Sequence, residues 1–149
     1  MKRNVSGPVF TLVLAALGVF ALTASAQAVE RPYIARGTAQ FINANGDFVG
    51  TGTATYLGSY TEVGNAQLTP IGGSLLQVNA TNTYTAANGD QLRGVITGQL
   101  DGSTGAITAT ITYVGGTGRF AGASGTSILK GQLLPGGVFE VQVKGTIDY

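Results

Sequence analysis

Within the run Ala106-Ile-Thr-Ala-Thr-Ile-Thr-Tyr-Val114, apolar and polar residues alternate from Ile107 to Tyr113. A two-residue period places alternate side chains on opposite faces of an extended strand. Ile107, Ala109, Ile111 and Tyr113 then share one face, and Thr108, Thr110 and Thr112 the other. The same alternation recurs from residue 35 onward, and no helical period appears after residue 28. With no helix to cover a sheet, the apolar faces must cover one another.

Turn signals divide this pattern. Asn43-Ala-Asn-Gly-Asp47 and Ala87-Asn-Gly-Asp90 each carry the Asn-Gly pair that tolerates positive φ in a hairpin. Asp101-Gly-Ser-Thr-Gly105 and Leu134-Pro-Gly-Gly137 are further turns. A first strand is predicted over Ala35–Asn43, with Gly37, Ala39 and Phe41 inward. A long second strand covers Phe48–Glu62, with Phe48, Gly50, Gly52, Ala54, Tyr56, Gly58 and Tyr60 on one face. Gly64–Gly73, which contains Pro70, reads as the longest loop. Ser74–Ala86 follows, with Leu76, Val78, Ala80, Asn82 and Tyr84 inward, and then Gln91–Leu100, with Leu92, Gly94, Ile96, Gly98 and Leu100 inward. Ala106–Val114, Ser124–Leu134 and Val138–Tyr149 complete the set. That makes seven strands, or eight if the stretch 119–134 is broken by a bend. Short turns between neighbours imply antiparallel pairing. The predicted fold class is all-β, an antiparallel up-and-down β-barrel of seven to eight strands, with a two-sheet β-sandwich as the alternative.

Tyr113-Val-Gly-Gly-Thr-Gly-Arg-Phe-Ala-Gly-Ala-Ser-Gly-Thr126 is the most distinctive local pattern. Its glycines predict a tight turn at Gly115–Gly118, with Arg119 and Phe120 restarting the chain at a bend. The segment lacks the Walker lysine and precedes a strand, so it does not read as a phosphate loop.

Residues 1–28 read as a signal peptide. Lys2 and Arg3 form the basic start, Val9 to Leu22 the apolar centre, and cleavage falls after Ala26 or Ala28. The apolar run is shorter than a bilayer span. Residues 29–149 then form a single barrel domain, secreted or periplasmic. The whole chain has 8 basic and 7 acidic residues. Loss of Lys2 and Arg3 leaves 6 basic against 7 acidic, a net charge of −1. No basic patch points to nucleic acid, and none to an anionic membrane once the leader is removed.

Cysteine, histidine and tryptophan are absent. Disulfides, thiol nucleophiles, Ser-His-Asp triads and Cys/His zinc sites are therefore excluded. The acids of the two Asn-Gly-Asp turns are better read as turn chemistry than as calcium ligands. The residues imply no cofactor and no metal.

Gly50-Thr-Gly-Thr-Ala-Thr-Tyr-Leu-Gly58, Ala87-Asn-Gly-Asp90 and Gly115-Gly-Thr-Gly-Arg-Phe-Ala-Gly-Ala123 together resemble small exported bacterial proteins whose eight-stranded barrel is similar to allene oxide cyclase and the dirigent proteins. The Gly-Gly-Thr-Gly-Arg-Phe turn is the part most similar to the dirigent group. The resemblance spans roughly residues 35–149. It implies a calycin-like barrel with an apolar interior. No catalytic group of those proteins can be placed on this chain residue by residue, so the catalytic set is left empty.

The candidate ligand-binding residues are Tyr56, Tyr60, Asn82, Tyr84, Tyr113 and Arg119. The four tyrosines fall on predicted inward faces, where they either pack the core or line a cavity. The inward Gly and Ala residues, Gly50, Gly52, Ala54, Ala80, Gly94, Gly98 and Ala109, are expected to leave volume near them. Asn82 is polar on an apolar face, as a locally bonded amide or a ligand anchor. Arg119 either binds turn carbonyls or a carboxylate such as Asp90 or Asp101, or stands as a cation at the barrel mouth. Glu62 is the acid nearest the predicted interior, and a Glu62–Arg119 pair is a further reading of the two charges. Three functions are consistent with these residues. The first is a barrel binding a small apolar molecule. The second is a cyclase or isomerase that shapes an apolar substrate. The third is an outer-membrane barrel, for which the alternating C-terminal run ending at Tyr149 argues.

Overall fold

A computed structural model describes residues 29–149, and the signal-peptide reading of residues 1–28 lies outside them. The strands are β1 Arg31–Phe41, β2 Asp47–Ala54, β3 Gly58–Gly72, β4 Leu75–Ala86, β5 Gln91–Asp101, β6 Ala106–Gly116, β7 Ser124–Leu134 and β8 Val138–Ile147. Each pairs antiparallel with the next, and β8 returns to β1. The result is a closed eight-stranded barrel. Closure leaves no sheet edge to template association.

The eighth strand arises differently from the sequence expectation. The predicted second strand Phe48–Glu62 is two strands, β2 and β3, joined by a turn at Thr55-Tyr56-Leu57. Tyr56 takes φ 69° there, a left-handed conformation that non-glycine residues adopt infrequently. Nothing in its residue type announces this. The turn pairs Ala54 with Gly58, so even-numbered positions stay inward on both sides of it. Gly64–Gly73 is not a loop either. It belongs almost wholly to β3, whose register with β4 shifts between Pro70 and Gly72; Pro70 lies beyond Asn65, where pairing with β2 ends, so its missing N–H falls on a one-sided stretch of the strand.

Gly115–Gly118 is not itself the tight turn. β6 runs through Gly116, and a single 3-10 turn over Gly118–Phe120 follows. Gly118 has φ 57°, and a Cβ there would run into the Asp90 carboxylate. The Gln91 carbonyl accepts from the Thr117 N–H at 2.8 Å, and the Gln91 N–H donates to Thr117 Oγ1 at 3.0 Å. This seam anchors the turn to the start of β5 and drives Phe120 into the barrel, where it is fully buried.

The topology gives the barrel two ends. The turns β1–β2, β3–β4, β5–β6 and β7–β8 gather at one, called here the mouth. The β2–β3, β4–β5 and β6–β7 connections and the C-terminal residues gather at the other. That end is plugged. Tyr149 packs on Phe120 and Tyr56 with ring centroids 5.0 and 5.4 Å apart, and the Arg31 guanidinium lies 4.7 Å from the Tyr149 ring. Above the plug sits a tier of tyrosines. Tyr60 meets Tyr84 edge-on at 5.1 Å, and Tyr33 meets Tyr113 at 5.3 Å. At the mouth, Phe41 packs edge-on against Phe48 and Phe139 at 6.2 and 6.1 Å.

The inward glycines do not leave space, contrary to the sequence expectation. Gly50, Gly52 and Gly94 are covered by the side chains of Glu62, Tyr60 and Asn82, and Gly98 lies against Ala109 and the Thr108 carbonyl. The Tyr60 hydroxyl lies 2.7 Å from where a Cβ on Gly37 would stand and 2.5 Å from that of Gly52. The Phe48 ring covers Gly64. Glycine here lets a big neighbour lie flat against the barrel wall.

Candidate functional site

A cavity of about 80 Å³ lies between the phenylalanines of the mouth and the tyrosine tier. A single water needs roughly 10–15 Å³ of such space. The cavity therefore takes a few waters or a slender apolar group. Its walls come from all strands of the barrel: Phe41 and Ala39 from β1, Phe48 from β2, Ala66 and Leu68 from β3, Val78 and Ala80 from β4, Ile96 and Leu100 from β5, Ile107 from β6, Leu129 from β7, and Phe139, Val141 and Val143 from β8. Ala66 and Ala80 are register partners, and this facing pair of small residues opens the room. Gln40 and Leu68, both exposed, bring the cavity to the surface.

The floor is polar. It is made by Tyr60, Glu62 and Tyr84. Glu62 is buried on β3, directly opposite Gly50 on one side and Tyr84 on the other. Asn82 Nδ2 donates to Glu62 Oε1 at 2.5 Å. The second carboxyl oxygen lies 2.9 Å from where a Gly50 Cβ would be, so the acid, too, lies flat on a glycine. Burial pushes the Glu62 carboxyl up from 4.5 to about 7, and hydrogen bonds from Asn82 and Tyr84 only partly oppose this. A proton therefore enters and leaves this group near neutral pH.

The tyrosines around it remain neutral. Burial raises Tyr33, Tyr60, Tyr84 and Tyr113 above the ordinary phenol value, the last to about 12, and the nearby Glu62 charge adds to each rise. Tyr113 donates to Ser127 Oγ at 3.1 Å. The Tyr33 hydroxyl and Asn82 Oδ1 are buried with no hydrogen-bond partner among the described residues. Glu62, Asn82 and Ser127 are the polar side chains buried with this tyrosine tier among the described residues.

The six candidate residues separate into three places. Tyr60 and Tyr84 line the cavity floor. Asn82 and Tyr113 stand behind it, one holding Glu62 and the other holding Ser127. Tyr56 and Arg119 belong to the plugged end. Tyr56 is half-buried in the β2–β3 turn against Tyr149 rather than on an inward strand face. Arg119 Nε is 3.4 Å from Asp90 Oδ2, its guanidinium lies 5.0 Å from the Phe120 ring, and its side chain is 42% exposed. It is not a cation at the mouth, and it does not pair with Glu62, whose partner is Asn82. The carboxylates of the Asn-Gly-Asp turns are also accounted for locally. Asp47 accepts from Asn43 and Asn65, and Asp90 from Asn88.

Tyr33 was not anticipated, because the first strand was expected to begin at Ala35. The signal was present: Tyr33 keeps the inward parity of Ala35 and Gly37, and Pro32 before it is allowed near a strand start. No family model, no curated protein and no solved structure matches the chain.

Proposed function

We propose that this chain is an exported barrel that binds a small apolar molecule end-on through its mouth. The observation that carries this reading is the cavity itself, apolar in its walls and bounded below by a buried carboxyl and two tyrosines. Such a lining, mostly hydrophobic with a few placed polar groups, is the usual composition of a small-molecule site. Exposed apolar residues continue it outward. Ile42, Ile71, Leu75 and Leu134 stand 60, 48, 40 and 39% exposed on the turns and strand ends of the mouth.

The direction of the two faces argues against the outer-membrane reading. Thr38, Thr51, Thr61 and Thr85 are successive register partners on the outward face of β1 to β4, and Lys130, Gln142, Gln132 and Glu140 stand outward on β7 and β8. Outward valines and isoleucines such as Val63, Val114 and Ile128 interrupt these polar rows, but the inward face is the more continuously apolar one, whereas a lipid-facing barrel is apolar outside and polar within.

The test is a titration with 1-hexanol followed by methyl NMR. Shifts concentrated at Ala66, Ala80, Leu129 and Val143 are expected. Shifts confined to outward residues such as Val63 and Ile128, or none at saturation, would overturn the reading.

A cyclase or isomerase is the second reading, and Glu62 favours it. A carboxyl tuned near neutrality beside an apolar cavity is suited to moving a proton. Its test is deuterium uptake from D2O at the α-carbon of an apolar ketone. Uptake should disappear in Glu62→Gln, and equal uptake in both proteins would remove Glu62 from the reaction.

A further inference from the structure

We propose that the cavity selects an apolar molecule carrying a cationic nitrogen head, which Glu62 receives at the floor. The inference rests on the cavity being a ligand site. Its own ground is the imbalance of the floor. Glu62 lines the cavity, and among the described residues no lysine, arginine or histidine lines it. A carboxylate has about four acceptor positions. Asn82 supplies one donor at 2.5 Å and Tyr84 a second favourable contact. Acceptor capacity remains on a group that has no counter-charge among the described residues.

A buried charge without a partner is costly, and a matching charge brought by a ligand relieves it. An ammonium group supplies both the opposite charge and several N–H donors. A carboxylate head meets like charge instead, and an alcohol supplies one donor and no charge. The walls above Glu62 take the hydrocarbon part, with Ala66, Ala80 and Leu129 around it.

The dependence on pH follows from the groups that face Glu62. They are Tyr33 on β1, Tyr60 on β3, Tyr84 on β4 and Tyr113 on β6, all raised above their ordinary value by burial. The inward rows of β2, β5, β7 and β8 place no titratable side chain beside it. Between acid and mildly alkaline pH, then, only Glu62 changes charge at the floor. The ionised carboxylate is the form that holds an ammonium. Affinity for an amine should rise with pH and level off once Glu62 is ionised, while affinity for an alcohol should change much less.

The experiment compares hexylamine, 1-hexanol and hexanoate by calorimetric titration of the wild-type barrel and of Glu62→Gln. At about pH 8 hexylamine should bind at least about tenfold more tightly than 1-hexanol, with hexanoate weakest. At about pH 5 that advantage should shrink to a small factor. Glu62→Gln should remove the advantage at both pH values. If 1-hexanol binds and hexylamine has no advantage in the wild type, the head-group inference fails while the ligand site stands. An amine advantage that is independent of pH, or that survives in Glu62→Gln, overturns it as well. If none of the three binds, the ligand site fails and takes this inference with it. The wild-type pH series decides the matter even should the variant fold poorly.

Discussion

The amide oxygen of Asn82 rests in the hollow above Gly94, 2.6 Å from where a methyl group on that glycine would stand. The other end of the same amide holds Glu62. One glycine on β5 therefore sets the position of a carboxyl on β3, through a side chain on β4. Gly94→Ala should displace Asn82, weaken its bond to Glu62 and cost about 1–3 kcal/mol by overpacking. Urea unfolding of Gly94→Ala, Asn82→Ala and the double variant checks this. The two changes should be less than additive, because the double variant no longer contains the clash with Asn82 and keeps only the one with Ile111. Strict additivity would show that Gly94 and Asn82 act independently.

Glu62 links stability to pH. Its folded value, about 7, lies above its ordinary 4.5. The folded state thus binds the proton more tightly than the unfolded state. The favourable contribution is complete below about pH 4.5 and is lost as pH rises to about 7, for a total of roughly 3 kcal/mol. The difference in unfolding free energy between wild type and Glu62→Gln, followed across that window, should move in the variant's favour as pH rises. A constant difference would mean that Glu62 titrates normally. Asp47 and Asp101 do not confuse the reading. Their hydrogen bonds lower them from 3.8, so their contribution is lost only on the acid side.

Phe120 and Arg119 are neighbours with very different expected weights. Phe120 is fully buried in the plug, and Phe120→Ala should cost about 3–5 kcal/mol. Arg119 is a surface partner of Asp90, and Arg119→Ala should cost less than about 1 kcal/mol. Thermal unfolding measures both. Arg119→Ala should also leave hexanol binding unchanged, since the cavity lies toward the other end. Lost binding in that variant would return Arg119 to the site.

Ala80 lines the cavity opposite Ala66. Ala80→Leu should fill the room that the two alanines leave and weaken 1-hexanol binding by at least about tenfold. Stability should stay within about 1–2 kcal/mol of wild type, because the added atoms enter existing space. Undiminished hexanol binding would place the ligand elsewhere.

The barrel was legible in the sequence because its strands keep strict inward and outward alternation. Val78, Ala80, Asn82 and Tyr84 on β4, and Ile107, Ala109, Ile111 and Tyr113 on β6, all point as their parity requires. What escaped was conformational. The β2–β3 turn depends on a positive φ at Tyr56, and β3 passes through Pro70 where only β4 pairs with it. Neither is a preference of the residue itself. The site was half legible for a different reason. Parity put Tyr60, Asn82 and Tyr84 inside and brought Glu62 near them, but parity carries no information about height along the barrel. Height separates Arg119 and Tyr56, at the plug, from the cavity. The inward glycines misled for the same cause, since which neighbour lies over each one depends on register between strands.

The pairing of β1 with β8 also sets a schedule. Gln40 meets Val138 and Arg31 meets Ile147, so the first strand of the barrel waits for the last. Until Val138–Ile147 has been made, β1 and β7 each present an unpaired rim, open to any other extended chain. Contacts so distant along the chain also form slowly. The cylinder therefore stays open until its last strand is in place. A chain cut short before Val138 would keep both rims bare and be a seed for aggregation.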